Sequence, residues 1–334
     1  MRIRDIFPAW GRILTGRQPL LSIEITKECP LRCPGCYAYS ADHLGEGVSL
    51  IQLNDYRGSE LTRRALEAVR RFRPIHISIV GGEPLVRFRE LDELLPKLDE
   101  MRIETQLVTS AVRPIPESWS RLENLHVTVS VDGLPADHDR RRAPATYDRI
   151  LKNIAGHRVI VHCTVTRQML SRKGSLEEFS RLWSERPEAR KIWFSLYTPQ
   201  EGEESPERLT AADRAEAIIE LARVRRLFPK IHLPDAVLRG LAAPPNSPEE
   251  CIFARVTKCL SSDFETGISP CQFGGKPVCS ECGCLASAGL ASLGTYKLAG
   301  LVSVADILAA SAAVGQAWSG FPLRRDRSAT VAVR

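Results

Sequence analysis

Cys29-Pro30-Leu31-Arg32-Cys33-Pro34-Gly35-Cys36 sets three cysteines in a CxxxCxxC spacing directly after the apolar run Leu20-Leu21-Ser22-Ile23-Glu24-Ile25. Three thiolates on one short loop suffice for three irons of a cubane 4Fe-4S cluster, and the absent fourth ligand leaves one iron open to an outside molecule. A zinc knuckle is the plainer alternative, but it calls for paired CxxC units or a histidine at ligand spacing, and none follows here. A disulfide framework fits less well, because the chain is long and opens with no secretory signal pattern.

Outward from this loop, short β-like runs alternate with amphipathic helices, the pattern of a parallel sheet. The strand candidates are residues 21–26, 75–80, 105–109, 126–131, 159–166 and 191–198. Between them lie apolar stripes at helical spacing: Leu61, Ala65, Ala68 and Phe72; Phe88, Leu91, Leu95 and Leu98, with Pro96 expected to kink or end that helix; and Tyr147, Ile150, Leu151 and Ile154. Ser175-Leu176-Glu177-Glu178 reads as a capping box, and Thr210 with Asp213 as a second helix start. Six βα units predict an α/β fold, a partial (β/α)6 TIM-like barrel. Right-handed crossovers then bring every strand's C-terminal end to one face, where such barrels keep their chemistry.

The loop resembles the signature of the radical S-adenosylmethionine enzymes, and further motifs of that family follow in order. Gly81-Gly82-Glu83-Pro84 ends the second strand candidate as the family's GGEP motif does, and Ser130-Val131-Asp132-Gly133 with His138-Asp139 and Arg142 is similar to its SxDG...HDxxR pattern. The resemblance implies a 4Fe-4S cluster on Cys29, Cys33 and Cys36 whose open iron is chelated by S-adenosylmethionine. It implies reductive cleavage to a 5'-deoxyadenosyl radical, with an external one-electron reductant of flavodoxin or ferredoxin type as partner. Cofactor contacts are expected from Gly81 and Gly82, where missing side chains let backbone approach the methionine moiety. Glu83 is a further candidate; Ser110 stands where relatives often carry Asn; Ser130 is expected at the ribose; and Arg142 is expected to fork onto the methionine carboxylate. Glu83 and Asp132 have a second reading as loop braces. The family's usual aromatic before the third cysteine is Gly35 here, and Tyr37 just after it is the candidate contact in its stead.

Beyond the linker-like Ala242-Ala243-Pro244-Pro245-Asn246-Ser247-Pro248, the cysteines Cys251, Cys259, Cys271, Cys279, Cys282 and Cys284 crowd a Gly-rich segment. Such density without a secretory pattern points to metal, either zinc or a second iron-sulfur cluster. The spacing resembles the twitch or SPASM extensions of the same family, although it is too short for a two-cluster set. It implies one auxiliary 4Fe-4S cluster on Cys259, Cys271, Cys279 and Cys282, with Cys251 or Cys284 as substitutes. Cys163, inside the run from Val159 to Val165, reads as a core residue.

The chain's 334 residues, 43% hydrophobic and 26% charged, suit one large domain with an appendage. The domain expectation is an N-terminal amphipathic lid (1–18), a barrel (19–233), a cysteine-rich segment (234–300) and a C-terminal helix and tail (301–334). A formal charge of +6 over Arg-rich helices marks solvated faces and gives no support to nucleic-acid binding. No run reaches the ~18 apolar residues of a membrane span. A cytoplasmic location is expected. The basic amphipathic stretch from Met1 to Gln18 is read as packing, with a peripheral membrane or lipid contact as the alternative. The expected substrate is a peptide, by resemblance of the Ser130 to Arg142 segment to peptide-modifying members. The alternatives are a lipid or other small metabolite, as in hopanoid-pathway members, and a non-enzymatic electron carrier.

Overall fold

Alternate residues of six successive runs point into one core: Leu21 and Ile23, Ile77 and Ile79, Leu107, Val129, Val161 and Cys163, Ile192 and Phe194 are each at most 1% exposed. In the computed structural model, which describes residues 6–294, 297–298 and 302–319, these runs are the parallel strands β1 (Leu20–Glu24), β2 (His76–Val80), β3 (Glu104–Thr109), β4 (Leu125–Ser130), β5 (Val159–Val165) and β6 (Ala189–Leu196). A seventh strand, β7 (Thr257–Leu260), joins the sheet at its other edge, in the order β6-β5-β4-β3-β2-β1-β7.

Strand β7 is the main departure from the sequence expectation. The cysteine-rich segment contributes it, pairing Ser22 with Cys259 and Ile23 with Leu260. Four residues, Thr-Lys-Cys-Leu, carry too little alternation to be seen as a strand, and only the open edge of β1 makes them one. The outer edge of β7 is covered in turn, since Ile268 N donates to Cys259 O at 3.0 Å and Ser261 N to Thr266 O at 2.9 Å.

The helices Gly58–Phe72, Phe88–Glu100, Tyr147–Asn153, Ser175–Ser184 and Ala211–Leu227 cover the sheet. The second of these runs through Pro96 instead of ending there. The buried Leu94, Leu95 and Leu98 hold its last turn in place despite the hydrogen bond that proline cannot donate. Ser175 is not a cap either: Gly174 occupies the N-cap, and Ser175 Oγ donates to Met169 O at 2.6 Å. Thr210 caps as expected, its Oγ1 accepting from Asp213 N at 3.1 Å.

The N-terminal helix Ile6–Leu14 lies against the helix Val304–Ser319. It buries Ala9 and Ile13, and Trp10 Nε1 donates to Ser311 Oγ at 2.7 Å. Arg12 Nε donates to Arg73 O at 2.6 Å just before β2, which places this helix at the N-terminal ends of the strands, opposite the cysteine loop. Residues 1–5 and 320–334 of the expected lid and tail lie outside the described residues. No described helix is long and apolar enough to cross a membrane.

Candidate active site

The loop after β1 carries Cys29, Cys33 and Cys36 into one open cleft of about 1030 Å³, whose other wall is Thr198 to Glu203, beyond β6. Its base is held by backbone contacts. Gly82 N donates to Thr26 O and Glu83 N to Glu28 O, both at 2.8 Å. A Cβ on Gly82 would fall 2.2 Å from Glu28 O, and one on Gly81, at φ 129°, would fall 2.8 Å from Thr26 O. These glycines therefore let the second loop pack on the base of the cysteine loop, which is the approach this structure displays.

Burial pushes the Cys29 thiol up to about 12 and raises Cys36 as well. Opposing donors favour the thiolates: Leu31 N reaches Cys29 Sγ at 3.4 Å, and the N–H groups of Ala38 and Tyr39 and the charge of Arg142 act on Cys36. Thiols raised by burial yet supplied with N–H donors suit metal ligands, which lose their protons when they bind. Three thiols of one loop lining one cleft fit three irons of a cubane, one thiolate to each.

The motif residues beside the loop form a connected polar network. Glu83, 1% exposed, accepts from Leu85 N at 2.9 Å, Ser110 N at 2.7 Å and Thr109 Oγ1. It is a brace between the ends of β2 and β3, the second of its two sequence readings. Burial raises its carboxyl above the usual range. The Arg142 fork is taken up within the chain, Nε donating to Asp132 Oδ2 at 2.5 Å and Nη1 to Ser110 Oγ at 3.1 Å. Burial alone would raise the Asp132 carboxyl, but Arg142 and Arg141 hold it well below its ordinary value. His138 explains its place in the motif: Nδ1 accepts from Asp132 N at 3.0 Å and Nε2–H donates to Ala145 O at 2.8 Å. Asp139 Oδ1 accepts from Tyr147 N at 2.7 Å and so starts the following helix. Ser130 is buried at the end of β4.

Sequence reasoning passed over Arg141. It grips Glu207 with Nε and Nη2 at 2.7 and 2.8 Å, reaches Asp132 with Nη1, and donates from Nη2 to Pro34 O at 3.3 Å inside the cysteine loop. Only its adjacency to Arg142 could have signalled it. Tyr197 was also missed. A Cβ on Gly35, at φ 61°, would fall 2.1 Å from Tyr197 Oη and 2.8 Å from its Cε2, so this ring fills the space a larger residue at 35 would take.

Tyr37 turns toward the C-terminal cysteines. Its ring meets Phe273 edge-on at 5.2 Å and His43 at 5.7 Å. Burial raises its hydroxyl far above the ordinary value, with Glu24, Cys36, Cys259 and Cys284 adding to the effect. The six C-terminal cysteines are neighbours in space. Burial raises Cys271, with Cys259, Cys282 and Cys251 contributing, and raises Cys279 to about 11, with Cys282 and Cys251 contributing. Burial likewise lifts Cys259 to about 12 and raises Cys282 and Cys284. Cys251 Sγ lies 3.3 Å from Ser287 Oγ. The turn carrying Cys282 and Cys284 is docked on β6, where Leu196 N donates to Gly283 O at 2.9 Å and Gly283 N to Thr198 Oγ1 at 2.8 Å. A Cβ on Gly283 would fall 2.0 Å from Leu196 O. Among the described residues, no three His, Cys, Asp or Glu converge on a point where a single ion would sit.

A match to the Radical SAM superfamily spans residues 23–171, from β1 past β5, and so takes in the cysteine loop, the Gly81-Gly82 turn and the Asp132 network. That stretch, a little under half of the chain, is similar to the radical SAM superfamily. Among curated proteins, the chain is similar to a 7-carboxy-7-deazaguanine synthase of Hyperthermus butylicus, 29% identical over 110 residues, covering 32% of this chain and 41% of the relative. It is also similar to a PqqA peptide cyclase of Bradyrhizobium diazoefficiens, 32% identical over 119 residues, covering 34% of this chain and 28% of that one. The chain thus spans under half the length of these relatives. The solved structure of Streptococcus suis SuiB bound to precursor peptide SuiA shares the fold, with a TM-score of 0.55, 16% identity, and coverage of 91% of this chain and 67% of that one.

Proposed function

We propose that this protein is a radical SAM enzyme that cleaves S-adenosylmethionine reductively and uses the resulting radical to modify a peptide. The observation that carries the reading is the cleft, in which three thiols of one loop face the segment after β6 at the C-terminal ends of a parallel sheet. Cys29, Cys33 and Cys36 would hold a 4Fe-4S cluster, which when bound supplies an electron to the sulfonium of S-adenosylmethionine coordinated at its open iron. The chain's own groups do the rest. Glu83 and the Arg142–Asp132 pair fix the loop ends around the cofactor position, and Ser110 and Ser130 offer hydroxyls at the ends of β3 and β4.

A peptide is supported by the name of the PqqA peptide cyclase relative and is compatible with an open cleft of about 1030 Å³. The C-terminal cysteines would hold a second cluster. Cys259, Cys271, Cys279 and Cys282 remain the ligand set, with Cys251 and Cys284 in reach.

The test is an iron count on anaerobically loaded protein, with S-adenosylmethionine binding followed by the EPR signal of the reduced sample. The reading expects about eight irons per chain, about four after Cys29, Cys33 and Cys36 are replaced by Ala, and a signal that S-adenosylmethionine perturbs only in the wild type. Zinc in the residual site would remove the second cluster. A signal insensitive to S-adenosylmethionine would make the chain an electron carrier. Acceptance of a lipid or small metabolite with no peptide turned over would replace the substrate class.

A further inference from the structure

His43, fully buried on the loop that follows Cys36, ties that loop both to β1 and to the C-terminal cysteine segment. Its Nε2 lies 2.8 Å from Glu24 Oε1, and its Nδ1–H donates to Phe273 O at 3.1 Å. Its carbonyl accepts from Gly275 N at 3.0 Å, and a Cβ on Gly274 would fall 1.9 Å from that same oxygen. The other oxygen of Glu24 accepts from Ser261 Oγ at 2.8 Å. Phe273 follows Cys271 by two residues and Ser261 follows Cys259 by two, so one imidazole is tied, directly and through Glu24, to two places within the C-terminal cysteine segment. Tyr37, next to Cys36, closes the contact with its ring against both His43 and Phe273.

A buried His–Glu pair is a poor way to gain stability, because desolvating the two groups offsets most of their attraction, and an apolar pair of the same volume would do as well. What such a pair supplies is geometry: its hydrogen bonds are satisfied in one register of the two loops and in no slipped one. We propose that His43 is the positioning residue that fixes the C-terminal cysteine site relative to the Cys29–Cys36 loop, so that a change at either is transmitted to the other. This rests on the reading of the C-terminal cysteines as a metal site, but its first test does not need the metal.

In metal-free protein, His43→Gln should speed amide hydrogen exchange about tenfold in both segments 40–48 and 271–278, while β2 to β5 keep their protection. Unchanged exchange in 271–278 would overturn the proposal. In iron-loaded protein, replacing Cys279 and Cys282 by Ala should alter the EPR signal of the first site when His43 is present and leave it unaltered in His43→Gln. Equal transmission in both would likewise overturn it. Should His43→Gln fail to fold, Ser261→Ala cuts only the Glu24 arm and should weaken the transmission at least twofold, and undiminished transmission there would count against the proposal. An iron assay showing the C-terminal cysteines empty would refute the second cluster alone, and the metal-free exchange would still decide the role of His43.

Discussion

Asp132→Asn removes one negative charge from a buried group of four: Arg141 and Arg142 face Asp132 and Glu207, with side-chain exposures of 13%, 15%, 2% and 5%. The carboxylate accepts from both guanidiniums and from Thr164 N at 3.0 Å. An amide of the same shape can still accept from Thr164, but it presents N–H to an arginine and leaves one positive charge in excess. Breaking a buried pair by neutralising one partner costs about 3–5 kcal/mol. Glu207 still grips Arg141, so a loss of about 3 kcal/mol is expected in urea unfolding of the metal-free protein. Adding Arg142→Met restores charge balance and should recover part of that loss rather than add to it, a coupling that a double-mutant cycle measures. The wild-type carboxylate, held below its ordinary value, contributes stability above the unfolded value near 4, and this is lost as pH falls below it. Asp132→Asn should lack that acid dependence. A loss under about 1 kcal/mol, or additive single effects, would refute the network's role.

Gly35→Ala should lower metal-free stability by about 2–4 kcal/mol, from the left-handed backbone and the overlap with Tyr197, and Tyr197→Leu should recover the overlap part in a thermal scan. His138 is fully buried and its pKa is depressed by burial, so the neutral form is favoured in the fold. Its contribution is therefore complete above the unfolded value near 6.5 and fades as pH falls toward the depressed one, and His138→Gln should flatten the stability profile over that range. Truncation before Cys251 deletes β7 and bares the edge of β1, so the shortened chain should lose its cooperative unfolding transition by circular dichroism.

Six strands were legible from the sequence to within two residues because each is a run rich in apolar and β-branched residues that enters one core, as in Val159–Val165. The cysteine loop stood out because its CxxxCxxC spacing is one that cluster ligation would use. Strand β7 was not, since pairing with Leu20–Ile23 makes it a strand and no local pattern announces it. His43, Arg141 and Tyr197 escaped for a related reason: their partners lie 230 (Phe273), 66 (Glu207) and 162 residues away in sequence (Gly35), the last by the subtraction 197 − 35. Arg142 was singled out by motif as a candidate contact for the methionine carboxylate. Its carboxylate partner inside the chain, Asp132, was weighed only as a loop brace, because single-residue roles do not reveal which of several carboxylates a guanidinium will meet.

The most direct measurement is 5'-deoxyadenosine formation by anaerobically loaded, dithionite-reduced protein supplied with S-adenosylmethionine alone. An open iron beside the bound cofactor needs only an electron, so slow accumulation is predicted for the wild type and none for the variant with Cys29, Cys33 and Cys36 replaced by Ala. Equal formation by that variant, or none by a wild type carrying its full complement of iron, would contradict the account.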